Sequence, residues 1–269
     1  MKIQWTGVFA TLAVLLAACR TAPHAAPPAE AAGGVELHVM SSAGFAAAYH
    51  ELAPEFQRAS RTRIATSYGP SIGTAPDAIP SRMRRGEPVD VVIMASPGLD
   101  ALIEQGLVVP DTRVDLARSQ IGMVVRAGAP RPDIRTVEAF KQALLDARSI
   151  AYSDSVSGIY VSTQLFERLG IADQVRSKSM EIPSEPVANA VARGQAEIGF
   201  QQLSELLPVR GVDVVGLIPA EVQKITIFSA AVTAGARHPQ EARALLRFLS
   251  SPGAFPAITR SGLEPAARP

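Results

Sequence analysis

The stretch that decides the fold is residues 84–108, which read RRGEPVDVVIMASPGLDALIEQGLV. Residues 89–95 form an almost continuous apolar run, which is typical of a strand buried on both faces of a parallel sheet. Residues 97–106 follow at once, with Pro97 near the start and Gly106 at the end, as expected for the two ends of a helix. A buried strand that leads directly into a helix is the basic unit of an α/β fold.

The same alternation of strand and helix continues on both sides of this stretch. Apolar patterns predict further strands at 35–40, 62–68, 120–127, 149–153, 177–182, 196–200, 212–217 and 223–233. Helical spacing predicts helices at 45–60, 78–85, 136–147, 158–170, 185–194 and 239–252. Pro54 falls inside the first of these helices and predicts a kink or a break. The order of the elements favours α/β sheets that are mixed and mainly parallel.

The N-terminus has the pattern of an export signal. Lys2 precedes an apolar stretch at 7–18, which is too short to span a bilayer as a helix but suits the core of a signal peptide. Residues 16–19, LAAC, resemble the lipobox of bacterial lipoproteins, and Cys19 is the predicted lipidation site. A free thiol or an ordinary cleavage site is the alternative. We predict a signal peptide at 1–18, a tether at 19–34, and an exported, periplasmic or envelope protein anchored at Cys19.

Charge and cysteine content exclude several classes of partner. The chain carries 26 basic and 25 acidic residues, and cleavage before Cys19 would remove one basic residue and leave no net charge. A neutral chain gives no electrostatic reason to bind nucleic acid or an anionic membrane surface. A single cysteine cannot form an internal disulfide. The chain has no phosphate-binding glycine loop and no metal-binding motif, so we predict no cofactor and no metal.

Residues 69–73, GPSIG, match the G-x-S-x-G pattern of a serine hydrolase. That motif requires a helix directly after the serine, yet Pro76 and Pro80 delay the next helix to about Asp77. In hydrolase chain order the histidine comes last, so His238 is the candidate base and Asp213 the candidate acid. A serine esterase that uses Ser71 is therefore a remote alternative.

Small polar segments recur where a strand leads into a helix, at 41–44, 69–74, 153–158 and 183–187. The first turn of a helix exposes unpaired N–H groups and the positive end of the helix dipole, so such ends can bind an anion without a basic side chain. Serine is also a favoured helix cap, so each segment taken alone is better explained as an ordinary cap than as a ligand site. Several of them would have to converge to give useful affinity.

The chain resembles the type II periplasmic substrate-binding proteins of bacterial ABC importers, and among them the molybdate-binding group. The resemblance rests on residues 35–57, 84–108, 157–171, 185–200 and 242–254 taken together. It implies two α/β lobes joined by hinge strands at 119–126 and 224–233, with a ligand enclosed between the lobes. Lobe one would be residues 35–119 and 231–269, and lobe two residues 120–230.

The resemblance also implies a set of ligand-binding positions in this sequence. The family's first-loop serine falls at Gly44, with Ser41 and Ser42 just before it, and its second loop supplies Ser71. Backbone donors of the family fall at Ser157 and Val187. A glutamine, Gln201 or Gln202, replaces the tyrosine that closes the family's site.

These positions lead to a specific expectation about function. We predict a solute-binding protein, not an enzyme, that captures a small anion such as molybdate or tungstate for an ABC permease and is a monomer. The lower number of hydroxyl groups, the longer loop at 69–77 and the amide in place of a phenol favour the alternative of an organic carboxylate ligand.

Overall fold

Residues 34–266 are built on two β-sheets, seen in a computed structural model that describes residues 1–2 and 34–266. The predicted signal peptide, the tether and Cys19 lie almost wholly outside the described residues. Among the described residues, no helix has both the length and the apolar character needed to cross a membrane.

The first sheet has six strands. In chain order they are β1 (Glu36–Ser41), β2 (Arg63–Tyr68), β3 (Val91–Ala95), β4 (Val114–Ser119), β10 (Thr226–Val232) and β11 (Glu264–Pro265). Their order in space is β11-β4-β10-β3-β1-β2. Strand β1 pairs in parallel with β2 and β3, whereas β10 runs antiparallel to β3 and β4, and β11 antiparallel to β4.

The second sheet has five strands. They are β5 (Ile121–Arg126), β6 (Ile150–Ser153), β7 (Ser179–Ile182), β8 (Ile198–Gln202) and β9 (Val212–Leu217), in the spatial order β7-β6-β8-β5-β9. Strand β6 pairs in parallel with β7 and β8, and β5 runs antiparallel to β8 and β9. Both sheets are mixed, as expected. Parallel pairing is confined to three strands of each sheet, and the remaining strands form antiparallel pairs only.

Helices cover both sheets. They are α1 (Ala43–Ser60), α2 (Ile79–Arg84), α3 (Ser96–Glu104), α4 (Val137–Asp146), α5 (Val156–Tyr160), α6 (Phe166–Arg168), α7 (Ala172–Arg176), α8 (Val187–Ala192), α9 (Leu203–Leu206), α10 (Pro239–Leu249) and α11 (Phe255–Arg260). A π-helical segment, Val161–Leu165, joins α5 to α6. Helix α1 is not broken at Pro54, which lies on its exposed side. Strands β4 and β11 and helices α7, α9 and α11 were not predicted from the sequence.

The chain crosses between the sheets twice. Gln120 alone separates β4 from β5, and residues 218–225 separate β9 from β10. The whole of β10 belongs to the first sheet, so the second crossing lies earlier in the chain than residue 230. We call the part built on the first sheet the first lobe and the part built on the second sheet the second lobe.

Each sheet has an apolar cluster on either face. Phe45, Tyr49 and Leu52 of α1 cover one face of the first sheet, and Leu99 and Leu102 of α3 belong to the cluster on the other. Phe140 and Leu165 belong to one cluster of the second sheet, and α8 contributes to the other. Burial on both faces explains why residues 89–95 are so consistently apolar.

Candidate functional site

A cleft of about 260 Å³ lies between the two lobes. The first lobe contributes the loops that follow β1, β2 and β3, and the second lobe contributes those that follow β6, β7 and β8. In open α/β sheets, ligands bind beyond the carboxyl ends of the strands, where successive loops diverge. The cleft lies beyond the carboxyl ends of the parallel strands of both lobes, so both lobes present their loops to it.

The cleft brings together five of the eight residues that the sequence singled out. Ser42, Gly44, Ser71, Gln201 and Gln202 line it. Ser41, Ser157 and Val187 are buried directly behind the lining. The lining also contains residues that the sequence analysis missed, among them Tyr68, Asp154, Glu205, Thr226 and Phe228.

Gly44 lies beneath an aromatic ring. A Cβ atom added to Gly44 would come within 2.1 Å of the Cζ atom of Phe228, which is closer than any real contact. Phe228 and Thr226, two residues apart on β10, both line the cleft. The ring of Phe228 therefore occupies the space that a serine side chain at position 44 would need, and one wall of the cleft is apolar where the family resemblance implied a hydroxyl.

The loop after β2, which contains GPSIG, is fixed against the start of α3. The Oγ of Ser71 accepts a hydrogen bond of 3.0 Å from the backbone N–H of Ala95. Gly98 permits this approach, since a Cβ there would come within 2.2 Å of the Ser71 carbonyl oxygen. The Ser71 hydroxyl keeps its O–H free to donate while it accepts this bond, and the residue lines the cleft.

This arrangement does not support the esterase hypothesis. The next helix, α2, begins at Ile79, eight residues after Ser71. None of the residues that line the cleft is a histidine. The backbone N–H of His238, the candidate base, is bonded to Asp90, away from the cleft. Ser71 therefore has no histidine within the cleft to complete a catalytic triad.

Hydroxyl groups also lie on the side of the second lobe. The Oγ atoms of Ser153 and Ser155 are 2.7 Å apart, and those of Ser155 and Ser157 are 3.3 Å apart. Ser153 and Ser155 line the cleft, and Ser157, buried behind them, completes the chain of hydroxyls. Gly158 packs so close to the Ser153 carbonyl that any side chain there would clash.

The two glutamines at the end of β8 have different partners. Gln201 Oε1 accepts from the backbone N–H of Val187 at 2.8 Å, and its Nε2 donates to Glu205 Oε1 at 2.9 Å. Gln202 Nε2 donates to Thr226 Oγ1 at 2.9 Å, which links the lobes. The N–H of Val187 is thus bonded to Gln201 in this structure rather than directed into the cleft.

Two buried polar atoms of the lining have no partner among the described residues. They are Ser42 Oγ and Gln202 Oε1. Buried polar atoms without a hydrogen bond are uncommon in proteins and require an explanation. Both residues line the cleft, where Ser42 Oγ can donate to a ligand and Gln202 Oε1 can only accept from one.

The charged groups of the cleft are all acidic. Asp77, Asp154, Glu185 and Glu205 belong to the lining, which includes no lysine or arginine. Glu185 is paired with Arg193. Burial raises the pKa of Glu205 to about 7, the nearby charge of Asp154 adds to the effect, and the hydrogen bond from Gln201 opposes it. An anion in this cleft must therefore be held by hydroxyl and N–H donors.

Within residues 34–266, no cluster of three or more metal-ligating side chains occurs.

Comparison with known proteins agrees with this architecture. The family model described as "Bacterial extracellular solute-binding protein" matches residues 37–264. Aconitate isomerase of a Pseudomonas species is 49% identical over 229 residues, which cover 85% of this chain and 87% of that protein. The molybdate-binding protein of Azotobacter vinelandii is 27% identical, over 86% of this chain and 91% of that one.

A solved structure of a periplasmic molybdate-binding protein from Azotobacter vinelandii superposes with a TM-score of 0.69. Its sequence is 21% identical, and the superposition covers 87% of this chain and 99% of that one. This likeness confirms the two-lobed fold that the sequence predicted.

One prediction from the sequence is overturned by these comparisons. The chain was expected not to be an enzyme, yet a relative with 49% identity over most of its length is named for an enzymatic activity. The expectation of a periplasmic binding protein is confirmed. The chain belongs to the bacterial extracellular solute-binding protein family and has the type II periplasmic fold of its molybdate-binding members.

Proposed function

We propose that this protein is an extracytoplasmic isomerase that binds a small unsaturated polycarboxylate of the aconitate class and interconverts its isomers. The observation that carries the proposal is the 49% identity to a protein named aconitate isomerase, over 85% of the chain. The sequence raised an organic carboxylate as the alternative to molybdate, and aconitate belongs to that class of ligand.

The shape of the cleft supports an organic ligand. Its volume of about 260 Å³ approaches the range of about 300–1,000 Å³ that is usual for pockets of small organic molecules. The Phe228 ring forms an apolar wall at the position of a family hydroxyl, and Gly44 makes room for it. A planar, partly apolar carbon skeleton can pack against such a ring, whereas a tetrahedral oxyanion would lose a hydrogen bond there.

Hydrogen-bond donors on both lobes account for the recognition of carboxylates. We propose Ser42, Ser71 and Ser155 as hydroxyl donors, together with the backbone N–H groups at the first turn of α1, next to Gly44. The first turn of a helix stabilises an anion by typically 0.3–1 kcal/mol. We propose that Gln202 completes the site. If its amide turned over, Nε2 would face the ligand while Oε1 accepted the Thr226 hydroxyl.

Titration and turnover together test the proposed function. We expect cis- and trans-aconitate to bind in calorimetric titrations, and we expect either isomer, incubated with the protein, to yield the other in proton NMR spectra. Molybdate is the matched control, and we expect it to bind more weakly by at least tenfold. Tight binding of molybdate with no binding and no turnover of aconitate would refute the proposal.

A role in transport is the second candidate, favoured by the family match, because substrate-binding proteins of ABC importers deliver their ligands to a permease. Under this candidate the protein is a monomer, anchored by a lipid on Cys19, that releases its ligand to a membrane partner. Mass spectrometry of the N-terminal peptide tests the anchor, and a mature chain that begins elsewhere than at Cys19 would refute it. Ligand uptake by cells with and without the gene tests the transport role.

A further inference from the structure

We infer that Glu205 is the group that moves the proton in this isomerisation, and that Gln201 positions it. The inference rests on the proposed function and adds to it a residue that the sequence analysis passed over. Glu205 lines the cleft at the first turn after β8, four residues beyond Gln201.

The hydrogen bonds of Gln201 fix the orientation of its amide. The backbone N–H of Val187 can only donate, so the atom that faces it at 2.8 Å is the acceptor, Oε1. The amide nitrogen must then face Glu205, to which it donates at 2.9 Å. The family resemblance assigned the N–H of Val187 to ligand binding. In this chain it bonds to Gln201 instead, and Gln201 in turn orients the carboxyl group of Glu205.

The surroundings of Glu205 suit a group that gains and loses a proton. It is half-buried at the cleft wall, and burial raises its pKa to about 7. The charged groups that share the cleft are Asp77, Asp154 and Glu185, all acidic, and Asp154 raises the pKa of Glu205 further. A general base works best when its pKa is near the working pH.

The chemistry of the ligand class requires such a group. In an aconitate-type ligand, a methylene group lies between a carboxylate and the carbon–carbon double bond, and rotation about that double bond is blocked. When Glu205 takes a methylene proton, a C–H bond breaks, an O–H bond forms, and the electron pair is shared by the two end carbons of the allylic unit and the carboxylates that they carry. The protonated Glu205 returns the proton to the other end of the allylic unit, so that the double bond moves. No oxidant, water or cofactor is consumed.

The test compares Glu205→Gln with the wild type in D2O. Glutamine keeps the size and polarity of the side chain but cannot take a proton. We expect the rates of isomerisation and of deuterium entry into the ligand, both read by NMR, to fall at least 100-fold, the usual contribution of a general base. Calorimetric affinity for either isomer should change by less than about fivefold. Glu138→Gln, on the exposed side of α4, is the matched control and should match the wild type.

The outcomes separate failure of the inference from failure of the proposed function. If the wild type binds and isomerises aconitate and Glu205→Gln does so at the same rate, the inference is refuted and the proposed function stands. If the wild type neither binds nor isomerises aconitate, the proposed function fails and the inference falls with it. Glu205→Asp keeps a carboxyl group, so we expect it to recover part of the activity that glutamine removes.

Two readouts follow the titration of Glu205, and the second of them, the activity–pH profile, distinguishes proton transfer from a merely structural role. A carboxyl group whose pKa is raised in the folded protein loses stabilising free energy as the pH rises from its ordinary value of 4.5 through about 7. The melting temperature of Glu205→Gln, measured relative to that of the wild type, should therefore increase as the pH is raised from 5 to 8. A difference in melting temperature that stays constant over this range would contradict the inference. Gln201→Leu removes the hydrogen bond that lowers the pKa of Glu205, so the acid limb of its activity–pH profile should move to higher pH.

Discussion

At the scale of single residues, the cleft departs from what the family resemblance implied through pairs of residues rather than through isolated positions. Gly44 and Phe228 form one pair, because the ring fills the space above the glycine. Gln201 and Glu205 form the other, because the amide faces the carboxyl group. In each pair, one member was noticed in the sequence and the other was not, since the partners come together only in the folded chain.

The first pair gives a prediction for Gly44→Ser, which places a serine where the family resemblance implies one. We expect it to destabilise the protein by about 1–3 kcal/mol, the usual cost of overpacking, because the ring of Phe228 has to move. We also expect no gain in affinity for molybdate. Urea unfolding and calorimetric titration measure the two effects.

Ala43→Ser is the matched control for this prediction. Ala43 is exposed and lies one residue earlier in the same helical turn, so its substitution should change the free energy of unfolding by less than about 0.5 kcal/mol. The double variant Gly44→Ser, Phe228→Ala should recover part of the lost stability. A Gly44→Ser protein as stable as the wild type would show that the ring does not limit position 44.

At the scale of elements, Asp90 joins three parts of the first lobe. It lies just before β3 and is almost fully buried. Its Oδ2 accepts from the backbone N–H of His38 in β1, and its Oδ1 accepts from the backbone N–H groups of Arg237 and His238, which precede α10. The single polar residue of the run VDVVIMA is therefore the acceptor that attaches α10 to the sheet.

We predict that Asp90→Ala destabilises the protein by about 3 kcal/mol or more, because three backbone N–H groups lose a charged acceptor at once. Asp90→Asn keeps one carbonyl oxygen and should fall between alanine and the wild type. Asp173→Ala, at an exposed ion pair on α7, is the control and should have an effect of less than about 0.5 kcal/mol. Denaturant unfolding of the four proteins gives the order, and an Asp90→Ala protein as stable as the control would contradict it.

The elements that could be predicted from the sequence are those with a strong period or a continuous apolar run. Strand β3, with every residue buried, and the amphipathic helix α10 are clear examples. Strand β4 was missed because it contains Asp115 and Arg118 and its exposed positions are irregular, so that no period emerges. Helix α9 has only four residues, too few to show a helical period, and Glu205, which lies on it, was missed for the same reason.

At the scale of the whole molecule, the two lobes are held together by more than the two chain crossings. Helix α9 follows β8 in the second lobe and packs against α1 in the first. The Oγ of the buried Ser204 donates to the Gly44 carbonyl oxygen at 2.7 Å, between residues 160 positions apart in the sequence. Leu203 N–H bonds to the carbonyl of Gln120, at the first crossing. These contacts form a joint between the two lobes at the base of the cleft, next to Gln120, where the chain first crosses from one lobe to the other.

This joint leads to a prediction for Ser204→Ala. Loss of the hydroxyl leaves the Gly44 carbonyl buried without that partner, which should cost about 1–3 kcal/mol of unfolding free energy. A protein of this size loses about 2–4 °C of melting temperature per kcal/mol. Because Gly44 lies in the first turn of α1, which lines the cleft, the affinity for the ligand should fall as well, by several-fold.

Ser250→Ala is the control for Ser204→Ala. It tests whether the predicted effect comes from the contact between the lobes or from the loss of any hydroxyl group. The Oγ of Ser250, at the end of α10, donates to the carbonyl oxygens of Leu246 and Arg247 in its own helix, and Ser250 does not belong to the lining of the cleft. Its substitution should leave ligand affinity unchanged. If Ser204→Ala and Ser250→Ala lowered the melting temperature equally and neither changed affinity, the contact between α9 and α1 would serve the stability of the fold alone. If affinity fell in Ser204→Ala only, the geometry of the cleft would depend on a single hydrogen bond between the lobes.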